Sequence, residues 1–195
     1  MYRIGIDLGG TNIAVGVVDD RQSIIAEASV PTGAFRPAEE MVADMCRAVE
    51  MALDKAGLIA ADCASIGIGS PGTCDSEAGV VLRAYNLGWF NVPVCRMLHE
   101  RFGIPVYLSN DANCAALAET VAGAAVGCRN MILITLGTGV GGGIIIDGKI
   151  YALHGRGAGP HAAGAGGRAL HLRPRRLLGG ICLRHRPDPS GQAGR

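Results

Sequence analysis

The chain contains no C-x-x-C pair. Its seven cysteines, Cys46, Cys63, Cys74, Cys95, Cys114, Cys128 and Cys182, are odd in number and scattered. This argues against both a zinc ribbon and a disulfide framework, and reads instead as small buried thiols in a reducing compartment. No uninterrupted apolar run reaches the length of about 18 residues that a spanning helix needs. No basic segment followed by an apolar one precedes the first strand-like residues, so a secretory leader is not expected and a cytoplasmic location is. Charged side chains make up only 18% of the 195 residues, while 49% are hydrophobic. That composition excludes an intrinsically disordered chain for residues 1–150 and is enough for a real core.

The shortage of acids is local. Residues 151–195 hold one acid, Asp188, no lysine, eight arginines and four of the five histidines. Residues 1–150 hold sixteen acidic and ten basic side chains. A split of this kind reads either as a nucleic-acid-binding arm or as something foreign to the rest of the chain.

What is present alternates between strand and helix patterns. Tyr2–Leu8, Ile13–Val18 and Ser23–Val30 read as an antiparallel meander. Met41, Val42, Met45, Val49 and Leu53 fall at helical spacing within Pro37–Gly57, and Gly57 suits a helix stop. Ser65–Gly69 is a strand leading into a Ser70–Thr73 turn. Tyr85–Trp89 is a loop carrying the only tryptophan. Val94–Phe102 is a short helix, Ile104–Leu108 a strand, and Asp111 opens an alanine-rich helix to about Val126. Asn130–Leu136 and Gly143–Ile146 are strands around a Gly137–Gly142 turn, and Asp147-Gly148 is a hairpin turn. The pattern predicts an α/β fold.

Two glycine turns carry the chemistry. In Ile4–Asn12 a strand runs into Asp7-Leu8-Gly9-Gly10-Thr11-Asn12. Glycines let a backbone approach a phosphate closely, successive N–H groups form an anion-binding concavity, and Asp7 is placed to hold a hydrated Mg2+. A Gly-Gly hairpin without any ligand fits the same residues. Leu136-Gly137-Thr138-Gly139-Val140-Gly141-Gly142-Gly143 repeats the strand, Gly/Thr turn, strand logic. A pair of such turns reads as a nucleotide clamp. At Asn110-Asp111-Ala112-Asn113 a strand meets a helix, so a carboxylate there is either a helix cap or a firmly held base.

These segments, together with Gly69-Ser70-Pro71-Gly72 and Asn86-Leu87-Gly88-Trp89, resemble in residues and in order the ROK-family sugar kinases. These are the bacterial glucokinase-type members of the actin/hexokinase-like ATPase superfamily. The resemblance covers residues 2 to 151 and is nearest to the glucokinases. N-acetylmannosamine kinases and fructokinases share much of it. The family's repressors carry a helix-turn-helix ahead of the first strand, which is not found before Tyr2.

The resemblance implies an actin-like ATPase fold. Residues 1–115 would be an N-terminal lobe, 116–151 the start of a C-terminal lobe, and 152–195 an aberrant basic tail. It also implies ATP-dependent phosphorylation of a hexose, glucose foremost, with Mg2+. Asp111 would be the base for the attacking sugar hydroxyl. Asp7, Gly9, Gly10, Thr11, Asn12, Thr138 and Gly139 would serve the nucleotide and its metal. Gly72, Asn86, Asn110 and Asp111 would contact the sugar. Trp89 would either support the sugar loop or, as the favoured role, simply pack in the core. Intact members are commonly homodimers; for this chain the expected partners are the sugar and ATP, with neither nucleic acid nor membrane.

After Tyr151 the family pattern stops. Intact members continue with an E-[IL]-G-H motif and a C-x-C-G-x-x-G-C-x-E segment, which supply sugar contacts and zinc ligands. Here the chain reads Gly157-Ala158-Gly159-Pro160-His161 and then a tail rich in Arg, Ala, Gly and Pro. The genetic code offers a cause. Gly155–Ala162 written as GGC AGG GGA GCT GGG CCA CAT G gives A-G-E-L-G-H-M when one base is dropped. Arg168–Pro174 written as AGG GCC CTG CAC CTG CGG CC gives G-P-C-T-C-G in the same frame. Arg176–Pro187 permits G-C-[LW]-E-A-Y-A-S-A-T-A-L. In each shifted codon the first base, and nearly always the third, is set by the observed residues, and only the middle base is free.

The expectation is a one-base frameshift between Tyr151 and Gly155. The basic arm is then out-of-frame translation, residues 152–195 pack poorly, and the zinc ligands of intact members are absent. Two readings follow: a hexose kinase by ancestry, and a catalytically inactive fragment of one. A sugar-responsive regulator is the third, disfavoured by Asp111.

Overall fold

The computed structural model describes residues 1–136, 140–151, 174–177 and 180–183. The chain divides into two compact units, Met1–Cys114 and Ala115–Arg195.

The first unit begins with the expected meander: β1 (Tyr2–Leu8), β2 (Asn12–Val18) and β3 (Ile24–Pro31), paired antiparallel. Alternation sets the faces. Ile4, Ile6 and Leu8 of β1 are buried, while Arg3, Gly5 and Asp7 point the other way. Two later strands, β4 (Cys63–Ser70) and β8 (Val106–Asn110), join parallel to β1, giving the order β3-β2-β1-β4-β8. Parallel neighbours need a crossover. The first crossover contains α1 (Ala38–Ala56), which packs on β2 and β3 through Met41, Val42, Met45, Ala48, Val49, Ala52 and Leu53. Each large side chain among these contributes roughly 1.5–3 kcal/mol by leaving water. Glu39 and Glu40 in the first turn and Lys55 in the last complement the helix dipole. The helix stops at Gly57, whose φ of 66° only glycine adopts without strain.

Between β4 and β8 the structure departs from the expected pair of loops. A three-stranded antiparallel sheet, β5 (Thr73–Asp75), β6 (Val80–Ala84) and β7 (Trp89–Val92), is followed by α2 (Val94–Phe102). Strands of three to five residues show too little period-two alternation to stand out in sequence. Trp89 therefore opens a strand rather than closing a loop. It is 1% exposed, and its indole N–H donates to Met41 Sδ at 3.3 Å, so its expected core role holds.

In the second unit α3 (Asp111–Val121), which begins in the first unit, ends short of Val126. At Gly123 a Cβ would collide with the Glu119 carboxylate, which accepts from Ala124 N at 2.8 Å and turns the chain out of the helix. β9 (Met131–Leu136), β10 (Val140–Ile146) and β11 (Lys149–Ile150) follow as an antiparallel run, turned at Asp147-Gly148 as expected. β10 takes up part of the expected glycine turn: Gly141 and Gly142 pair with Thr135 and Ile134. From the tail the structure describes β12 (Pro174–Leu177) and β13 (Gly180–Leu183), a hairpin whose second strand pairs with β9. The remaining expectations for residues 152–195 lie outside the described residues.

Candidate functional site

The three parallel strands β1, β4 and β8 bring their carboxyl ends to one edge of the first sheet. Register alone places Asp7 beside Gly69, and Ser70 beside Asn110. Asp7, the Ser70–Gly72 turn and Asn110-Asp111 therefore converge, although the sequence scatters them. The C-terminal edge of parallel strands is where α/β sheets gather ligands, because the loops there leave the sheet together.

Asp7 and Asp111 are both exposed at this edge. The Asp7 carboxyl is held above its ordinary pKa, first by the water its surroundings displace and second by the Asp111 charge. Neither carboxylate has an ion-pair partner among the described residues. Two neighbouring carboxylates suit a divalent ion such as Mg2+, whose charge would offset the smaller, Asp111 contribution to the rise at Asp7.

Asn110 resolves the helix-cap question. Its Oδ1 accepts from Ala112 N at 3.1 Å and from Asn113 N at 3.4 Å, so Asn110 caps α3. Its Nδ2 donates to Gly72 O at 3.1 Å, tying β8 to the Ser70–Gly72 turn and leaving one amide N–H for another acceptor. Asp111 takes only the local Ala112 N–H, at 2.8 Å, and the rest of its carboxylate faces outward. Gly72 has a φ of 84°, and a Cβ there would run into the Arg83 carbonyl, so β6 can pass this closely only behind a glycine.

The first glycine turn closes on itself, with Gly9 N–H donating to Asn12 O at 2.9 Å. The N–H groups of Gly10 and Thr11 have no acceptor among the described residues. Thr11 and Asn12 are exposed beside them. Gly10 lies against the Asn86 amide: a Cβ on Gly10 would stand 3.3 Å from Asn86 Nδ2. The structure thus places Asp7, Gly9, Gly10, Thr11, Asn12, Gly72, Asn86, Asn110 and Asp111 within one unit. Thr138 and Gly139 lie outside the described residues.

Sequence reasoning missed Thr32. It is fully buried at the end of β3, and both its donors reach the glycine turn. Its N–H binds Thr11 O at 2.8 Å and its hydroxyl binds Gly9 O at 2.7 Å. A lone threonine after a proline carries no signal of this; only the β2–β3 pairing makes it a neighbour of Gly9.

Cys74 and Cys95 read as inert. The Cys74 and Cys95 thiols are pushed up to about 11 by burial, so neither is a thiolate at neutral pH. Among the described residues no group of three His, Cys, Asp or Glu side chains is arranged to hold a metal, and no zinc site is assigned to them. No helix among them is long and apolar enough to cross a membrane.

The chain is similar to known proteins. Residues 3–166 match the ROK family. A glucokinase of Halalkalibacterium halodurans is 38% identical over 154 residues, covering 79% of this chain and 46% of the relative. A glucokinase of Streptomyces coelicolor is 40% identical over 151 residues, covering 77% of this chain and 45% of the relative. The chain therefore spans under half the length of these curated relatives. Among solved structures, the ROK family glucokinase from Streptomyces griseus in complex with glucose and AMPPNP superposes with a TM-score of 0.71 at 42% identity, over 80% of this chain and 47% of that one. The fold is accordingly the α/β actin-like ATPase fold that the motifs imply. With its glycine turn, its paired aspartates and its Asn-Leu-Gly-Trp loop at the positions the structure shows, the chain belongs to the ROK family.

Proposed function

We propose that this site descends from, and is built for, ATP-dependent phosphoryl transfer to a hexose, with glucose as the favoured sugar. The observation that carries the reading is the meeting of Asp7 and Asp111 at the carboxyl edge of β1 and β8, beside the open N–H groups of Gly10 and Thr11. The glucokinases among its relatives support the choice of sugar.

Phosphoryl transfer asks for position and charge more than covalent chemistry. Asp111 would accept the proton of the attacking hydroxyl from its fixed place at the start of α3. Asn86 and Asn110 would orient the sugar by donating and accepting through neutral amides. The Gly9–Thr11 backbone would receive phosphate oxygens, and Thr138 and Gly139 are proposed to serve the nucleotide as well. Asp7 would hold Mg2+, which supplies neutralising charge to the phosphates. Residues 1–115 and 116–151 are proposed as the first lobe and the beginning of the second.

A second reading concerns this polypeptide itself. We propose that it is an inactive fragment of such a kinase, cut by a one-base frameshift before Gly155. The shifted-frame motifs support this.

A coupled ADP-release assay with glucose tests both readings. The expected result is no turnover from the 195-residue chain and turnover from a frame-corrected gene. Asp111→Asn in the corrected protein should lower kcat by roughly 10²–10⁴-fold. Turnover left intact by Asp111→Asn would remove the base assignment. An uninterrupted reading frame around codon 153, with codons that do not encode the shifted motifs, would remove the frameshift.

A further inference from the structure

Residues 32–36, between β3 and α1, touch both the glycine turn and the Asn86 loop. Thr32 spends both its donors on the carbonyls of Gly9 and Thr11, as described above. Those bonds pin the back of the turn, so that the open N–H groups of Gly10 and Thr11 stay on its other side. Phe35 reaches the second loop. Its N–H donates to Leu87 O at 3.1 Å, and its Cδ1 lies 3.1 Å from where a Cβ on Gly88 would stand. Gly88 has a φ of 73° and gives the ring this room.

Phe35 is an unusual residue for that place. Its own φ is 68°, a conformation that costs a non-glycine residue on the order of 1 kcal/mol or more. The residue is 74% exposed, so burial does not offset the cost. Strain kept without a core to stabilise it points to a positional role.

Arg36 anchors the segment. Its Nε donates to Gly33 O at 2.9 Å, and its Nη2 donates to Thr32 O at 2.9 Å and to Asp44 Oδ2 at 2.5 Å. Asp44 is 8% exposed on α1 and is also paired with Arg47 at 2.9 Å. The planar guanidinium binds two carbonyls and a carboxylate at once, which an ammonium cannot do in the same geometry. A continuous path therefore runs from α1 through Asp44 and Arg36 to Thr32 on one side and Phe35 on the other. The path closes where Gly10 meets Asn86.

We propose that Arg36 is a positioning residue, and that with Thr32 and Phe35 it forms a strap setting the glycine turn and the Asn86 loop against each other. The strap rests on the phosphoryl-transfer reading for its purpose: it would register nucleotide and sugar so that filling one subsite orders the other. Neither Arg36 nor Phe35 touches a reacting atom.

Amide hydrogen exchange on the 195-residue chain tests this without any need for turnover. Arg36→Gln should raise exchange roughly tenfold or more in peptides covering residues 9–12 and 85–88, while β4 and β8 keep wild-type protection. Arg36→Lys keeps the ion pair with Asp44 but loses the fork. It should hold the thermal midpoint near wild type and still leave both turns open, a split that a purely structural role would not produce. A rise confined to residues 32–36, or one spread evenly over the first unit, would overturn the strap. Adding Mg·ATP and glucose forms a separate arm. If they protect nothing even in the frame-corrected protein, the phosphoryl-transfer reading fails, while the strap is still decided by the ligand-free exchange.

Discussion

The two units of this chain differ in what their strands leave uncovered. In the first, Ile4, Ile6, Leu8, Ile13, Val15, Ile66 and Ile68 lie within one continuous cluster that α1 and Trp89 complete. In the second, the cluster among the described residues is Ala116, Ala125, Met131, Leu133 and Ile145. β9 and β10 bury one face only: Ile132, Leu136, Ile144 and Ile146 are exposed on the other, with Ile132 directly opposite Ile144. Strands apolar on both faces are strands made to be covered on both. In the first unit β1 leaves Arg3, Gly5 and Asp7 on its open face, whereas the second shows an apolar face for which the described residues provide no cover. That contrast accords with the proposed truncation.

The strongest way to break the contrast is to empty each core in turn. Trp89→Ala should cost about 3–5 kcal/mol, and Leu133→Ala about 2 kcal/mol, because a thin cluster collapses around a small cavity more easily. Urea unfolding measures both, and equal costs would mean that the second unit is packed as well as the first. Hydrogen exchange in the unmutated chain sharpens the same point. Amides of β1 and β4 should exchange at least roughly tenfold more slowly than those of β9 and β10.

The third test concerns the site. Burial and Asp111 raise the Asp7 pKa in the folded state, so the folded chain binds that proton more tightly than the unfolded one. The resulting stability is fully present below the unfolded pKa and is lost as pH rises through the folded value. Asp7→Asn should therefore raise the thermal midpoint at pH 7 by about 1–2 °C, a small effect for an exposed carboxylate. The gain should shrink as pH falls into the carboxylate range. A gain independent of pH would show that charge is not the cause. Smallest of all, Ile144→Thr on the open face should change stability by no more than about 0.5 kcal/mol while reducing binding of an apolar dye. A loss of several kcal/mol would reveal a cover over that face.

Much of the first unit was legible in sequence, because its signals are local. Ile4, Ile6 and Leu8 alternate, the α1 positions repeat at helical spacing, and Gly57 stops the helix where expected. The short β5–β7 sheet was not legible, since three to five residues hold too little period, and the end of α3 depended on the Glu119 carboxylate taking the Ala124 N–H. At the site, Asp7, Gly9, Gly10, Asn86 and Asp111 were named from their motifs. Thr32, Phe35 and Arg36 were not, because their partners Gly9, Leu87 and Asp44 are set by strand pairing and helix packing rather than by spacing. Asn110 was named for the sugar, and the structure adds that it caps α3 and holds Gly72.

By itself the sequence determined the turn chemistry, the strand and helix identities of most segments, and the motif order that marks the family. These depend on neighbouring residues, and neighbours are written next to one another. The tertiary structure decided that Asp7 stands against Asp111 and that one segment, residues 32–36, spans two turns. Parallel pairing of β1, β4 and β8 joins residues far apart in the chain, and the apolar face that binds them into one sheet carries no label for which strand it will meet.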